Sequence, residues 1–327
     1  MDHPADRRVT VLAGGVGAAR FLRGVLGVVP AEAVTAVVNV GDDTVLHGLE
    51  VSPDLDTITY TLAGEIDPER GWGLAGETWQ AMEQLRRYAS ANDVSAHDPV
   101  GGDAAGWFSL GDRDLGTHLY RTSRRRAGAT LSQVTAEIAR AWGLGLRLLP
   151  VTDDELRTRV TTVDGRDLAF QEYFVRERHE VEVAAVRVEG AGTATPAPGV
   201  LEAIGAADVV CIAPSNPVVS IDPVLAVPGV RDALASVRER TVAVSPIVGG
   251  EALKGPAARL LRELGHEASV VGIARWYAGL AATLVIDRAD EHLRDAVEAE
   301  GVRCVVTDTV MSDADVAASL ARTCIGA

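Results

Sequence analysis

The stretch RVTVLA-GGVG-AARFLRGVL, residues 8–26, decides the fold. Residues 8–13 are mostly apolar and β-branched, which predicts a short buried strand. Gly14, Gly15 and Gly17 predict a tight turn, and residues 18–26 carry the apolar periodicity of a helix. A strand, a glycine turn and a helix in this order open a nucleotide-binding α/β fold. We therefore expect the backbone N–H groups of this turn to face a phosphate at the helix N-terminus.

The glycine turn departs from the two best-known phosphate-binding patterns. Arg20 stands where the GxGxxG pattern has its third glycine, and no GK[ST] follows as in a Walker loop. A tight turn that binds no ligand is therefore the alternative interpretation of this motif, because glycine is the usual residue in such turns.

Strand and helix patterns alternate again in both halves of the chain. Residues 34–39 (VTAVVN) predict a strand covered on both faces, as in a parallel sheet, and residues 55–62 predict a helix. Asp164-Gly165 predicts a hairpin. Residues 199–205 predict a further helix. Further strands are predicted at 146–149, 158–163, 168–173, 208–213, 241–244, 269–273, 282–286 and 302–306.

The middle of the chain has a different character, with predicted helices at 77–88, 115–126 and 130–142 and no convincing strand. Residues 91–106 are small, polar and glycine-rich, which predicts a mobile loop. The fold class is thus α/β: a Rossmann-like, mainly parallel sheet built from both halves of the chain, with an inserted all-helical subdomain. We assign residues 1–64 plus 147–327 to the core and residues 65–146 to the insertion.

The composition excludes several classes of protein. With 327 residues and 47% hydrophobic residues, the chain can bury a large core, which excludes wholesale disorder. A net charge of −15 argues against a general nucleic-acid binder. No apolar run approaches the ~18 residues of a membrane helix, and the start MDHPADRR is not a signal peptide. Cys211, Cys304 and Cys324 form no CxxC pair, so we expect a cytoplasmic protein without a disulfide framework.

Four carboxylates follow the strand predicted at 34–39: Asp42, Asp43, Asp54 and Asp56. The first two lie at the carboxyl end of a parallel strand, which is the usual ligand edge of such a sheet. This set suits a hard cation such as Mg²⁺, held by one or two carboxylates and by substrate phosphates. Taken singly, each carboxylate has a capping role as its alternative, as Asp54 does before a helix.

Three further motifs carry polar or aromatic side chains. In residues 110–121 (LGDRDLGTHLYR) the candidates are Asp112, Arg113, Asp114, Thr117, His118 and Arg121. The last four of them have helical spacing and could share one face; capping, a structural histidine and an exposed basic run are the alternatives. Ser215 and Asn216 follow a predicted strand and could bond a base, ribose or phosphate, or form a plain Ser-Asn-Pro turn. Trp72 and Trp107 could stack on a flat heterocycle or pack in a core.

Together and in order, these motifs resemble the 2-phospho-L-lactate transferase family of coenzyme F420 biosynthesis, including its actinobacterial phosphoenolpyruvate transferase branch. The resemblance covers nearly the whole chain. It is carried by TVLAGGVGAARFL, AVVNVGDD, SPDLDT, RGWG, ETW, LGDRDLGTHLYRT, LLPVTDD, FQEYFVR, APSNPVVSI and VSPIVGG.

The resemblance implies a Mg²⁺-dependent transfer and a homodimer. The donor would be enolpyruvyl- or lactyl-diphospho-5′-guanosine. The acceptor would be the ribityl 5′-hydroxyl of Fo, which is 7,8-didemethyl-8-hydroxy-5-deazariboflavin. The products would be GMP and a phosphodiester, dehydro-F420-0 or F420-0. Val16 stands where some members have Thr, a pattern similar to the actinobacterial branch, so we favour the enolpyruvyl donor.

The resemblance also implies residue roles. Asp42 would be catalytic and would hold the metal with Asp43. Asp54 and Asp56 would lie near the acceptor hydroxyl, with Asp56 orienting it or acting as base. Gly14, Gly15 and Gly17 would contact the diphosphate, and Ser215 and Asn216 would contact the guanosine. Trp72 and Trp107 would form walls of the Fo site. The contacts to Fo or to the carboxylate end of the donor would come from Asp112, Arg113, Asp114, Thr117, His118 and Arg121.

Two other functions stay open at this point. A nucleotide-sugar-binding regulator of the same superfamily shares the glycine turn, but its pattern lacks the SPDLDT and LGDRD segments. A dinucleotide-dependent oxidoreductase is disfavoured because Arg20 breaks its fingerprint and because a paired Asp42-Asp43 replaces the single ribose-binding acid.

Residues 91–106 also form a longer stretch than the family pattern has.

Overall fold

A seven-stranded parallel sheet forms the centre of the computed structural model, which describes residues 7–91, 107–253 and 255–327. The strands of the described chain are β1 (Val9–Ala13), β2 (Val34–Val38), β3 (Thr44–Leu46), β4 (Leu49–Val51), β5 (Arg147–Pro150), β6 (Arg157–Thr162), β7 (Asp167–Ala169), β8 (Val183–Glu189), β9 (Val209–Ile212), β10 (Thr241–Val244), β11 (Ile247–Val248), β12 (Glu251–Ala252), β13 (Thr283–Asp287) and β14 (Arg303–Thr307).

Helices cover both faces of this sheet, which is why nearly every residue of its inner strands is buried. The α-helices of the described chain are α1 (Gly15–Leu26), α2 (Pro53–Ala63), α3 (Gln80–Ala91), α4 (Asp114–Arg126), α5 (Leu131–Ala141), α6 (Val200–Ala206), α7 (Asp222–Leu225), α8 (Val230–Ser236), α9 (Ala257–Glu263), α10 (Val270–Tyr277), α11 (Arg294–Ala299) and α12 (Ala314–Gly326). Among the residues described, no helix is both long enough and apolar enough to cross a bilayer.

The strand order of the main sheet places the functional edge. The order is β5-β2-β1-β9-β10-β13-β14, and each neighbouring pair is parallel. The chain runs outward from β1 to β2 and β5 and later returns to β9 on the other side of β1. Such a reversal opens a crevice at the carboxyl ends of the two central strands. The predicted fold class, with strands from both halves of the chain, is confirmed.

A second, three-stranded antiparallel sheet stands beside the first. Its order is β7-β6-β8, and the predicted Asp164-Gly165 hairpin joins β6 to β7. The strand predicted at 168–173 is wrong in its second half, because the chain leaves β7 for a π-helical turn at Glu172–Arg176. The Glu172 carboxylate accepts the Ala169 N–H at 2.7 Å, which fixes that turn.

Two further segments differ from the sequence-based prediction. Residues 269–273 form the start of α10 rather than a strand, because the Ser269 hydroxyl accepts the N–H groups of Val271 and Gly272 and so caps a helix. A short apolar run fits the period of a strand as well as that of a helix, and the Ser269 cap favours the helix. The stretch between Asp43 and Ser52 contains the hairpin β3–β4 instead of a plain loop.

Helices α3, α4 and α5 lie in the segment predicted to be helical. Thr130 and Gln133 form the predicted capping box of α5. The starts of α3 and α4 cap each other: Asp112 accepts the N–H groups of Gln80 and Ala81 at 3.0 Å, and Glu77 accepts the N–H groups at the start of α4. The loop predicted at 91–106 lies outside the described residues except for its first residue, which ends α3. The division into a core and a 65–146 insertion stays a prediction.

Candidate active site

Residues 42–56, here called the carboxylate loop, bring four carboxylates to the carboxyl edge of the main sheet. Asp42 and Asp43 follow β2, and Asp54 and Asp56 lie in the first turn of α2. Pro53 opens this helix, since its fixed φ suits a first helical position. Asp42, Asp54 and Asp56 are each no more than 7% exposed. Carboxylates are rarely buried this deeply without a partner, so the loop is a specialised polar site.

Asn39, at the end of β2, organises this loop, and sequence reasoning did not single it out as a site residue. Its side-chain amide donates to Asp54 Oδ2 at 2.9 Å, and its Oδ1 accepts the Gly41 N–H at 2.8 Å. Asn39 is fully buried. A polar residue that ends an apolar strand at the ligand edge is the signal that could have identified it. From the second sheet, Gln171 bonds the Asp42 carbonyl at 3.4 Å and braces the same loop.

Asp42 and Asp43 each keep one buried carboxylate oxygen that has no hydrogen-bond partner among the described residues. Burial, aided by the nearby charge of Asp54, raises the pKa of Asp42 well above its ordinary value. Burial also raises the pKa of Asp43 to about 7, although the Ser52 hydroxyl donates to it at 2.7 Å. The pKa of Asp54 is raised to about 6, again chiefly by burial. These carboxylates therefore resist ionising together unless a cation joins them.

The donor set at Asp42 and Asp43 fits a hard divalent cation that takes part of its coordination from a substrate. Mg²⁺ prefers oxygen ligands and is usually held by one or two carboxylates, with phosphates and water completing the shell. Within the described ranges, no group of three or more His, Cys, Asp or Glu side chains is arranged to hold a metal ion. The residues thus suit an ion shared with a phosphate and do not form a closed protein cage.

The glycine turn packs directly against its surroundings. A Cβ at Gly14 would lie 2.8 Å from the Ser220 Cβ, and one at Gly17 would overlap the Pro214 carbonyl oxygen. Larger residues would therefore displace backbone at both positions. The Gly15 N–H donates to Asp54 Oδ1 at 2.8 Å, so the N-terminus of α1 meets a carboxylate of the loop. Asp54 thus accepts a hydrogen bond from the first turn of α1 and does not cap its own helix, α2. Binding of a diphosphate by the glycine turn stays a prediction.

Ser215 and Asn216 lie after β9, next to the glycine turn. The Ser215 hydroxyl donates to the Gly14 carbonyl at 2.8 Å and is buried. Asn216 Oδ1 accepts the Val218 N–H at 3.0 Å, as expected for a Ser-Asn-Pro turn. Both side chains thus have structural partners while standing at the predicted crevice, and their contact with guanosine stays a prediction.

A buried polar network joins α2 to α4. The Arg121 guanidinium bonds both carboxylate oxygens of Asp56, with Nη1 at 3.1 Å from Oδ2. His118 Nδ1 lies 3.3 Å from this guanidinium, and its Nε2 lies 3.2 Å from Asp114 Oδ2. The Tyr60 hydroxyl donates to the other Asp114 oxygen at 2.6 Å. Asp114, His118 and Arg121 do share one helix face, and that face is buried against α2.

The remaining predicted residues on this segment divide between buried and exposed positions. Thr117 is half-buried on α4. Asp112 caps α3, as described above, and hydrogen bonds from the Thr78 hydroxyl and the N–H groups at the start of α3 lower its pKa. Arg113 is exposed and donates to the Ala75 carbonyl and to Glu65. These bonds hold the helical segment together, so contact of these residues with Fo stays a prediction.

Trp72 and Trp107 belong to two separate aromatic clusters. Trp72 is 46% exposed and meets Trp79 edge to face at 6.4 Å. The Arg70 guanidinium lies over both rings, at 5.3 and 5.2 Å from their centroids. Trp107 packs edge to face on Phe108 at 5.7 Å, and its buried indole N–H has no hydrogen-bond partner within the part of the chain that the structure describes. An exposed ring and an unsatisfied indole donor both suit contact with a flat polar ligand.

Comparison with known proteins assigns the family. A family model described as "2-phospho-L-lactate transferase CofD" matches residues 9–324. The chain belongs to the CofD family. It is 46% identical over 323 residues to the phosphoenolpyruvate transferase of Kitasatospora aureofaciens, covering 97% of each chain. It is 42% identical over 329 residues to that of Mycolicibacterium smegmatis, covering 96% of this chain and 97% of the relative.

Membership of the CofD family confirms the resemblance to a transferase family of coenzyme F420 biosynthesis, and the chain is a transferase. Its fold is also found in solved structures. Protein BH3568 from Bacillus halodurans superimposes with a TM-score of 0.61 at 19% identity, covering 98% of this chain and 99% of that one. At this identity the likeness concerns the fold alone.

Proposed function

We propose that this CofD family member transfers the phosphoenolpyruvate group of enolpyruvyl-diphospho-5′-guanosine to the ribityl 5′-hydroxyl of Fo, giving dehydro-F420-0 and GMP. The lactyl donor would give F420-0 by the same route. One observation carries the proposal: at the carboxyl edge of the sheet, Asp42 and Asp43 each present a buried oxygen that no other described residue bonds. The names of relatives that align over 96–97% of this chain favour the enolpyruvyl donor.

The reaction exchanges one phosphorus–oxygen bond for another. The 5′-oxygen of Fo bonds to the phosphorus that carries the three-carbon acid. The bond from this phosphorus to the bridging oxygen breaks, and GMP leaves with that oxygen. The hydroxyl proton is released. Because such transition states are loose, catalysis consists chiefly of positioning the two substrates and neutralising negative charge. A carboxylate base is therefore not essential.

Asp42 and Asp43 would hold Mg²⁺, which when bound would neutralise charge on the diphosphate and on the departing GMP. Their free oxygens fit this role, and Asn39 and Ser52 fix the backbone and side chains around them. Asp56 was predicted to orient the acceptor hydroxyl or take its proton. Its oxygens instead bond Arg121, and this geometry supports a positioning role for Asp56.

The substrates would occupy the two sides of the carboxylate loop. We place the guanosine diphosphate part of the donor beside the glycine turn and Ser215-Asn216, because both lie at the crevice between β1 and β9. We place Fo on the side of the helical segment, where Trp72 is exposed and where the Trp107 indole N–H donates to none of the described residues. The homodimer and the cytoplasmic location are part of the same proposal and rest on the family resemblance.

A mass-spectrometric assay tests the proposal. Purified protein, Mg²⁺ and Fo are offered the enolpyruvyl and lactyl donors side by side, with Asp42→Asn as the inactive comparison and the exposed Asp232→Asn as a matched control. We expect a phosphodiester of Fo and stoichiometric GMP from wild type and from Asp232→Asn, faster with the enolpyruvyl donor. Fo binding without product from either donor would refute the proposed donor. A protein that does not bind Fo would refute the proposed acceptor.

A further inference from the structure

The β3–β4 hairpin inside the carboxylate loop is held by side chains of α4. The Glu50 N–H donates to Thr122 Oγ1 at 2.8 Å, and the Glu50 carbonyl accepts Arg121 Nη1 at 3.3 Å. The Glu50 carboxylate accepts Arg125 Nε at 3.2 Å. Two adjacent side chains of a helix thus satisfy both backbone groups of one strand residue, which otherwise would need a neighbouring strand.

Arg121 differs from the other two because it also reaches α2. The guanidinium that bonds the Glu50 carbonyl bonds both oxygens of Asp56. It is 2% exposed, so water competes little for these bonds. Only a planar, multi-donor group can serve two acceptors in this way, and a lysine ammonium in its place would be a single point charge.

These contacts join the two ends of the carboxylate loop. The β3–β4 hairpin begins directly after Asp43, and α2 begins directly before Asp54. Fixing the hairpin against α2 therefore fixes the first carboxylate pair relative to the second. A shift of either end would move a carboxylate away from the place where charge develops in the reaction, and displacements of about 1 Å cost about 100-fold in rate.

We propose that Arg121 is a positioning residue of the transfer reaction, which clamps both ends of the carboxylate loop and does not contact either substrate. The kinetic part of this inference rests on the proposed function. The structural part does not, because the clamp is a property of the free protein.

Two measurements on Arg121→Lys test the clamp. In steady-state kinetics we expect kcat to fall about 100-fold while KM for donor and for Fo stays within about threefold. In amide hydrogen exchange we expect residues 44–52 to exchange about 10-fold faster, since the charged hydrogen bond from Arg121 to the Glu50 carbonyl is lost. Arg125→Gln is the matched control, because it removes another partner of Glu50 and leaves Asp56 untouched; it should alter neither quantity.

A second variant keeps the test decisive if Arg121→Lys does not fold. Asp56→Asn combined with Arg121→Met removes both charges, so no buried charge is left unpaired. We expect this double variant to fold, to exchange fast at residues 44–52 and to lose kcat. Recovery of wild-type kcat would show that the pair is merely structural and would overturn the proposal.

Other outcomes also overturn it. A large rise in one KM at constant kcat would show that Arg121 contacts a substrate. Unchanged amide hydrogen exchange at residues 44–52 would show that Arg121 does not hold the hairpin. If the wild type transfers no group at all, the proposed function fails by itself. The exchange measurement then still decides whether Arg121 holds the hairpin.

Discussion

Replacing Asp43 by Asn should make the unliganded protein more stable at neutral and alkaline pH. Burial raises the pKa of Asp43 to about 7, whereas the unfolded chain has the ordinary value near 3.8. Between these values the folded protein holds a proton that the unfolded chain releases. The stabilising effect of that proton is fully present below about pH 4 and is lost as pH rises through about 7. Asn is neutral throughout and still offers an oxygen to the Ser52 hydroxyl.

The size of the effect follows from the shift. A difference of about 3 pKa units corresponds to about 4 kcal/mol at pH 8, which is the upper limit because the folded site relaxes around the charge. We expect Asp43→Asn to raise the free energy of unfolding by about 2–4 kcal/mol at pH 8. The unfolding entropy of 327 residues is about 0.7 kcal/mol per kelvin, so Tm should rise by about 3–6 °C.

Thermal melts without divalent cations, at pH 4.5 and pH 8, measure this difference. The variant should exceed wild type clearly at pH 8 and barely at pH 4.5. Asp232→Asn changes an exposed carboxylate and should match wild type at both. Adding Mg²⁺ at pH 8 should raise the Tm of wild type more than that of Asp43→Asn. Equal pH dependence in wild type and Asp43→Asn would refute the reasoning.

Three further predictions concern the reaction. Asp42→Asn should abolish transfer with an unchanged circular dichroism spectrum, because a buried carboxylate with a free oxygen is lost; wild-type turnover would remove Asp42 from the site. Ser215→Ala with Asn216→Ala should raise KM for the donor about 30-fold, since two hydrogen bonds of about 1 kcal/mol each are lost from the crevice; an unchanged donor KM in the kinetic assay would contradict that placement. Trp107→Ala should weaken Fo binding more than donor binding in fluorescence titrations, and equal weakening would indicate a folding role.

Local sequence patterns predicted those parts of the fold in which each residue interacts mainly with its neighbours along the chain. The β1 strand and the capping box at Thr130 and Gln133 are of this kind, and the structure has them where the sequence indicates them. The turn predicted over Gly14, Gly15 and Gly17 is shorter than expected, because α1 begins at Gly15, three residues before the predicted helix. The strand predicted at 269–273 is wrong because the short run Val270, Val271 and Ile273 fits a strand as well as a helix. The Ser269 hydroxyl caps a helix here, and such a capping bond cannot be recognised from the spacing of apolar residues.

The site was predicted less completely, because the role of each side chain depends on partners that are far away in the sequence. The acidic positions 42, 43, 54 and 56 could be identified from their place after a strand. The carboxylate of Asp56, however, is bonded by Arg121, 65 positions away, and that pairing depends on how α4 packs on α2. Asn39 was missed because its role needs Asp54 beside it. Such pairings follow from tertiary packing and not from spacing.

The mutual caps at the starts of α3 and α4 have a consequence for how this enzyme can diversify. Glu77 and Asp112 tie the start of α3 to the start of α4, so the chain between these two helix starts is a loop closed at its base. Once such a loop is closed, doubling its length costs only about 0.6 kcal/mol of closure entropy. Changes of length between the two caps can therefore accumulate while α4, whose Arg121 bonds Asp56, keeps its position.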